Sequence, residues 1–238
     1  MDKDVNGDAD LDAGEFSSWL GQMQEALKGG GVSDVPCNGC TACCTSSQFV
    51  HIDPDEVDTL DHIPSELLFP APGLPAGHVL LGYDERGHCP MLGDDGCSIY
   101  AHRPRACRVY DCRVFAATGV EVEEPSKEAV GRRARRWRFS YESPDAHRQH
   151  DAARAAAAYL GAHHNELPPD VRPVGATQRA VVAVELLNLF TASDPTTGIP
   201  VVVEPPPDDV AAAVRHRSRP AATTRTREPG DRNRRTGA

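Results

Sequence analysis

Aromatic residues are scarce, at 5% of 238 residues, and the apolar fraction is 39%. That composition builds an ordinary core, but not one that takes in the whole chain. No apolar run approaches the ~18 residues that a membrane-spanning helix needs, so a helical membrane protein is excluded. The basic start and apolar stretch of a secretory signal are missing. Asp2, Asp4, Asp8, Asp10 and Asp12 stand there instead, and the expectation is a cytoplasmic protein. Also absent are a G-x-G-x-x-G turn, a P-loop and a Ser-His-Asp arrangement, so no catalytic residues are assigned. Outside 37–112 there is no cysteine at all.

Inside that window there are eight: Cys37, Cys40, Cys43, Cys44, Cys89, Cys97, Cys107 and Cys112. A disulfide framework and a metal site compete to explain them. Disulfides belong to oxidising compartments, and the missing signal therefore favours metal. Cys37-Asn-Gly-Cys40-Thr-Ala-Cys43-Cys44 agrees. A C-x2-C step lets two thiolates converge on one ion while the intervening backbone N–H groups face sulfur. Gly39 permits a turn with positive φ, whereas the neighbours Cys43 and Cys44 are poorly placed to bond to each other. Arg103, Arg105, Arg108 and Arg113 lie among the later cysteines with only Asp111 opposing. Four thiolates on Zn²⁺ carry a formal −2, so arginines here are candidates to neutralise the site or donate to sulfur. Arg103 and Arg108 are the two assigned that cofactor-binding role. His51, His88 and His102 are secondary ligand candidates.

C-x2-C-x2-C-C, followed by C-P-x-L, G-x-C-x-I-Y and R-P-x-x-C-R-x-x-x-C, resembles the YkgJ-type cysteine-cluster family. The pairs Ile99-Tyr100 and Arg103-Pro104 fit as well as the cysteines. The resemblance implies a bacterial protein that chelates zinc or an iron–sulfur cluster through all eight cysteines, in a structural or carrier role. A similar signature in flagellin lysine methylases supplies the alternative of a metal-dependent or redox enzyme that modifies amino groups. Thiolates alone do not choose between zinc and iron–sulfur. The direct Cys43-Cys44 step departs from the ferredoxin spacing, while family naming tips the balance towards iron–sulfur.

A second motif lies upstream. Residues 4–16 resemble the calcium loop of an EF-hand, with Asp4, Asn6, Asp8, Asp12 and Glu15 as side-chain ligands and Asp10 giving its carbonyl. Ala9 stands where glycine normally makes the turn, so an acidic tail capping a helix is the competing reading. Calcium-responsive behaviour is the third functional alternative. Phe16, Trp19, Leu20, Met23 and Leu27 then mark one face of a helix, and Gly29-Gly30-Gly31 a linker.

The expected fold class is α+β: a small, loop-rich, metal-stapled domain with short antiparallel strands, packed with C-terminal helices. Four segments follow. Residues 1–31 hold the acidic loop, helix and linker, and 32–115 the cysteine domain. Residues 116–204 form a mainly helical extension, and 205–238 a disordered Pro/Arg-rich tail. Strands are expected at 47–52, 78–83, 89–92 and 97–100, with a helix starting at Asp53-Pro54. Helices are expected at 126–138, 146–164 and 178–190, the last against the cysteine domain. The basic stretch around Trp137 reads as a solvated helix face, because a net charge of −10 argues against nucleic acid. From 215 onward eight Arg oppose only Glu228 and Asp231, net +6, leaving −16 on the remainder. The expected partner is a metal ion, and no protein partner is indicated.

Overall fold

A computed structural model describes residues 9–31, 33, 35–37 and 39–217 of the chain. The fold is α+β, with helices and short strands in four small sheets. Among the described residues no helix is long and apolar enough to cross a membrane.

The first strand, β1 (Leu11–Glu15), runs directly into α1 (Phe16–Leu27). Glu15 caps that helix: its carboxylate accepts from the Ser18 N–H at 2.7 Å, meeting one of the orphan donors of the first turn. Phe16, Trp19, Leu20, Met23 and Ala26 follow helical spacing and are buried. The cysteine loop then leads into β2 (Val50–Ile52), α2 (Val57–Asp61), β3 (Leu68–Pro70) and β4 (Val79–Leu81). These strands make an antiparallel sheet in the order β2-β4-β3, with His51 opposite Leu80. A short hairpin follows, β5 (Leu92–Gly93) and β6 (Gly96–Cys97), turning at Gly93-Asp94-Asp95-Gly96. Then come α3 (Arg105–Val109), α4 (Arg113–Thr118), α5 (Glu128–Ala134) and β7 (Trp137–Ser140). The chain continues through α6 (Pro144–Ala162), α7 (Gly175–Leu186), the hairpin β8 (Thr191–Ser193) and β9 (Pro200–Val202), and α8 (Pro207–Arg217).

There are two hydrophobic cores. The larger gathers α1, α4, α6, α7 and α8 around Phe16, Val114, Leu160, Val182, Val184 and Phe190. The smaller consists of Ile52, Ile63, Leu81 and Ile99 beside the β2-β4-β3 sheet. The cysteine segment lies between them.

Several expectations are corrected. The strand expected at 97–100 ends at Cys97, and Tyr100–His102 is a 3-10 turn. Residues 64–77, rich in proline and glycine and with no strand expected, contribute β3, pairing Leu68 with Leu81. The helix expected from Asp53 begins at Val57, because the Asp53 carboxylate pairs with Arg105 and faces His78 instead of capping. The helix expected over 126–138 breaks after Ala134 and becomes β7, which pairs in parallel with β1, Leu11 opposite Trp137. Trp137 is buried there, and Trp and Phe at alternate positions favour strand. The helix expected at 178–190 packs on α6 and on α4, which directly follows Cys112, and its last turn is 3-10. The expected disordered tail contains α8 up to Arg217, because Val210 and Val214, one helical turn apart, are both fully buried. Residues 218–238 lie outside the described residues.

His150 sits on α6 in the large core. Its ring stacks on Phe16 at 4.5 Å, and it makes hydrogen bonds to the Tyr141 hydroxyl at 2.6 Å and the Ala116 carbonyl at 3.3 Å. Burial holds its pKa below the usual 6.5, and the nearby Arg154 and His147 add to this against Asp151. The unfolded chain therefore binds the proton more readily. This contribution to stability is present in full above the unfolded pKa and is lost as pH falls through the window beneath it. The melting temperature of the native chain is expected to fall more steeply than that of His150→Gln between about pH 7.5 and 5.5. Parallel slopes would contradict the assignment.

Candidate metal centre

The first four cysteines lie on a tight loop. Cys40 N–H donates to the Cys37 carbonyl at 2.9 Å, and Gly39 between them has φ +80°, the turn that its lack of a Cβ permits. A 3-10 turn over Ala42–Thr45 presents Cys43 and Cys44, and its Ala42 is buried in the large core. The Cys89 N–H donates to the Cys44 carbonyl at 2.7 Å, which brings the second cysteine cluster onto the first. Cys97 comes in on β6 and Cys107 on α3, and Cys112 caps α4.

All eight cysteines are free thiols. Their mutual electrostatics define two neighbourhoods. Cys112 feels Cys37 and Cys40, while Cys107 feels Cys43, Cys89 and Cys97, and Cys44 feels Cys43, Cys89 and Cys107. Cys37 and Cys43 join the two. The neighbourhoods match the cores: Cys40 and Cys112 pack against the large one, and Cys89 and Cys97 against the small one. Among the described residues no three sulfurs lie mutually within 4.8 Å. A rotamer change swings a cysteine sulfur about its Cβ, so thiols on one loop can still gather on an ion.

Cys43 and Cys107 are solvent-exposed, and the other six are half-buried. Burial pushes Cys37 up to about 11 and Cys112 up to about 12. The protein packed around Cys107 pushes it up to about 12, even though part of the residue meets solvent. A hydrogen bond from the Cys44 thiol lowers Cys43 to about 7, helped by the charge of Arg103, and raises Cys44 in return. A cation offsets the desolvation that keeps such thiols protonated, so this donor set suits a thiophilic metal.

Two residues read as a solvated helix face instead touch this site. Trp137 donates from Nε1 to Cys112 Sγ at 3.2 Å. Arg133 donates to the carbonyls of Pro36 and Cys37 at 3.2 Å each, and its guanidinium lies 5.0 Å from the Trp137 ring centroid. An N–H aimed at sulfur stabilises a thiolate ligand, and losing such an outer partner typically weakens metal binding about 10–100-fold. Trp137→Phe keeps the ring and removes the donor. A loss of that size in competition with a chelator is expected, and unchanged affinity would contradict the role.

Arg103 lies close enough to Cys43 and Cys107 to lower both, and it rests on the Tyr100 ring at 4.0 Å. Arg108 pairs with the buried Glu56 at 3.5 Å. Glu56 also accepts from the backbone N–H groups of Asp53 and Arg105, which anchors the first turn of α3 beneath Cys107. Of the secondary ligand candidates, His51 lies with Asp53 and His78, and His102 with Asp58 and His62. The His88 N–H donates to Asp84.

Asp4, Asn6 and Asp8 of the calcium-loop expectation lie outside the described residues. Asp10 pairs with Arg138 at 2.9 Å, Asp12 accepts from the Gly14 N–H at 2.8 Å, and Glu15 caps α1.

Residues 36–129 match the model of the CxxCxxCC family, described as "Putative zinc- or iron-chelating domain". The segment is similar to that family over these residues, and the cysteine resemblance in the sequence points to the same family. The match takes in all eight cysteines and extends through α4 to the start of α5. No curated protein and no solved structure matches the chain.

Proposed function

We propose that the eight cysteines hold zinc or an iron–sulfur cluster whose first role is structural: it ties the small core to the large one. The observation that carries this reading is the placement of cysteines against both cores, Cys40 and Cys112 on one side and Cys89 and Cys97 on the other. Four fully buried residues make the small core. At about 1.5–3 kcal/mol for each such side chain, they offset little of the chain entropy of the loops around them. A metal ion or cluster at the seam supplies the missing folding energy. Arg103 balances the charge on the sulfurs, and Arg108 acts through Glu56 to hold α3 and its Cys107.

A carrier role is the second reading, and the partial exposure of the residues Cys43 and Cys107 favours it.

Hydrogen exchange before and after complete metal removal under anaerobic conditions separates the two. The structural reading expects amide protection to vanish across β2, β3 and β4 and to persist in α6 and α7. Undiminished protection in the sheet after the metal is gone would overturn it and leave the carrier reading.

A further inference from the structure

A second group of metal-ligating side chains lies on the β2-β4-β3 sheet and contains no cysteine. His51 is the middle residue of β2, Asp53 follows that strand, and His78 immediately precedes β4. His51 Nε2 lies 3.1 Å from His78 Nδ1. Asp53 Oδ1 lies 3.2 Å from His78 Nδ1 and 3.9 Å from His51 Nε2. Three donor atoms thus face one point. Bonds of about 2.0–2.2 Å, the usual length to nitrogen and carboxylate oxygen, set neighbouring ligands this far apart.

The surroundings hold these donors in position. Arg105 binds the other carboxylate oxygen, Asp53 Oδ2, at 3.1 Å, which turns Oδ1 towards the imidazoles. The two rings are nearly parallel, 10° apart with centroids 5.2 Å apart. Gly77, with φ +97°, lets the chain before His78 pass against Pro54, where an added Cβ would meet the proline ring at 3.1 Å. The side chains of His51, Asp53 and His78 are 35%, 29% and 22% exposed, so water reaches the point they face. The other His/Asp group, Asp58, His62 and His102, is more exposed, and its His62 Nδ1 already bonds the Asp58 carbonyl at 2.7 Å.

We propose that His51 Nε2, His78 Nδ1 and Asp53 Oδ1 bind one divalent first-row transition-metal ion, such as Zn²⁺ or Fe²⁺, with its remaining positions open to water. Two histidines and one carboxylate suit such ions, and three protein ligands with open positions differ in kind from a closed thiolate site. The site uses none of the cysteines.

Co²⁺ added to the full-length, metal-loaded chain under anaerobic conditions tests this. Cobalt on sulfur shows sulfur-to-metal charge transfer, whereas cobalt on nitrogen and oxygen does not, so the two centres report separately. The expected result is one Co²⁺ per chain without the sulfur band, with paramagnetic shifts on the His51 and His78 ring protons. In His78→Ala and in His51→Gln that Co²⁺ is expected to bind at least 100-fold more weakly. The wild-type shifts need no variant and stand even if a substitution disturbs folding. Absence of this Co²⁺, or shifts on His62 and His102 in place of His51 and His78, would overturn the proposal.

Discussion

Replacing Asp111 by alanine is expected to destabilise the protein by about 3–5 kcal/mol, the range found when one partner of a buried ion pair is removed. Its side chain is fully buried and pairs with the almost buried Arg113 at 2.8 Å. The same carboxylate accepts from Trp19 Nε1 at 2.9 Å, from the Ser33 hydroxyl at 2.6 Å and from the Arg113 backbone N–H at 2.9 Å. Arg113 in turn donates to the Ala13 carbonyl at 3.2 Å. One side chain, immediately before Cys112 in sequence, thus fastens α1 and, through Arg113, β1 to the cysteine segment. Asp111→Asn keeps acceptors for Trp19 and Ser33 but removes the negative charge that faces Arg113, so it is expected to recover only part of the loss. Urea unfolding at fixed metal occupancy measures both, and a change below about 1 kcal/mol for Asp111→Ala would contradict this account.

The second large effect concerns Cys44. Its sulfur interacts with Cys43, Cys89 and Cys107, which arrive from three different parts of the chain. Its carbonyl accepts the Cys89 N–H, so the backbone here joins the two cysteine clusters independently of the sulfur. Cys44→Ser preserves that backbone link while removing the soft ligand. Losing a ligand exceeds losing an outer hydrogen bond, so metal affinity is expected to fall by more than about 100-fold. Protection of the small sheet should fall with it. Competition against a chelator gives the affinity. An unchanged value would remove Cys44 from the ligand set.

The cysteine cluster was legible in the sequence as a candidate site because its information is local. Close spacing on one loop and a glycine with positive φ at position 39 point to metal without any tertiary knowledge. The nearness of Arg103 to these sulfurs was legible for the same reason. Trp137 and Arg133 were not, since they meet Cys112 and Cys37 across 25 and 96 positions of sequence. Helical periodicity dominated the basic stretch 126–138, while the alternation of Trp137 and Phe139 that makes the strand covers only a few residues. Asp111 looked like a lone acid among arginines, and its burial by Trp19 could not be read from spacing. The tail misled through composition: Pro205-Pro206-Pro207 and the later arginines mask the Val210/Val214 pair that docks α8. Asp53 illustrates the same limit. Asp-Pro is a sound helix-start signal, but Arg105 and His78 compete for that carboxylate from distant sequence.

Metal analysis of anaerobically purified protein, combined with thiol titration and an absorbance spectrum of the same sample, tests the central claim most directly. The account predicts bound zinc or iron, cysteines shielded from the thiol reagent until the metal is chelated, and all eight thiols recovered afterwards. Iron with inorganic sulfide and broad visible absorbance would identify a cluster, and about two zinc per colourless chain would identify closed thiolate sites. Protein free of metal, with its cysteines oxidised to disulfides, would contradict the account.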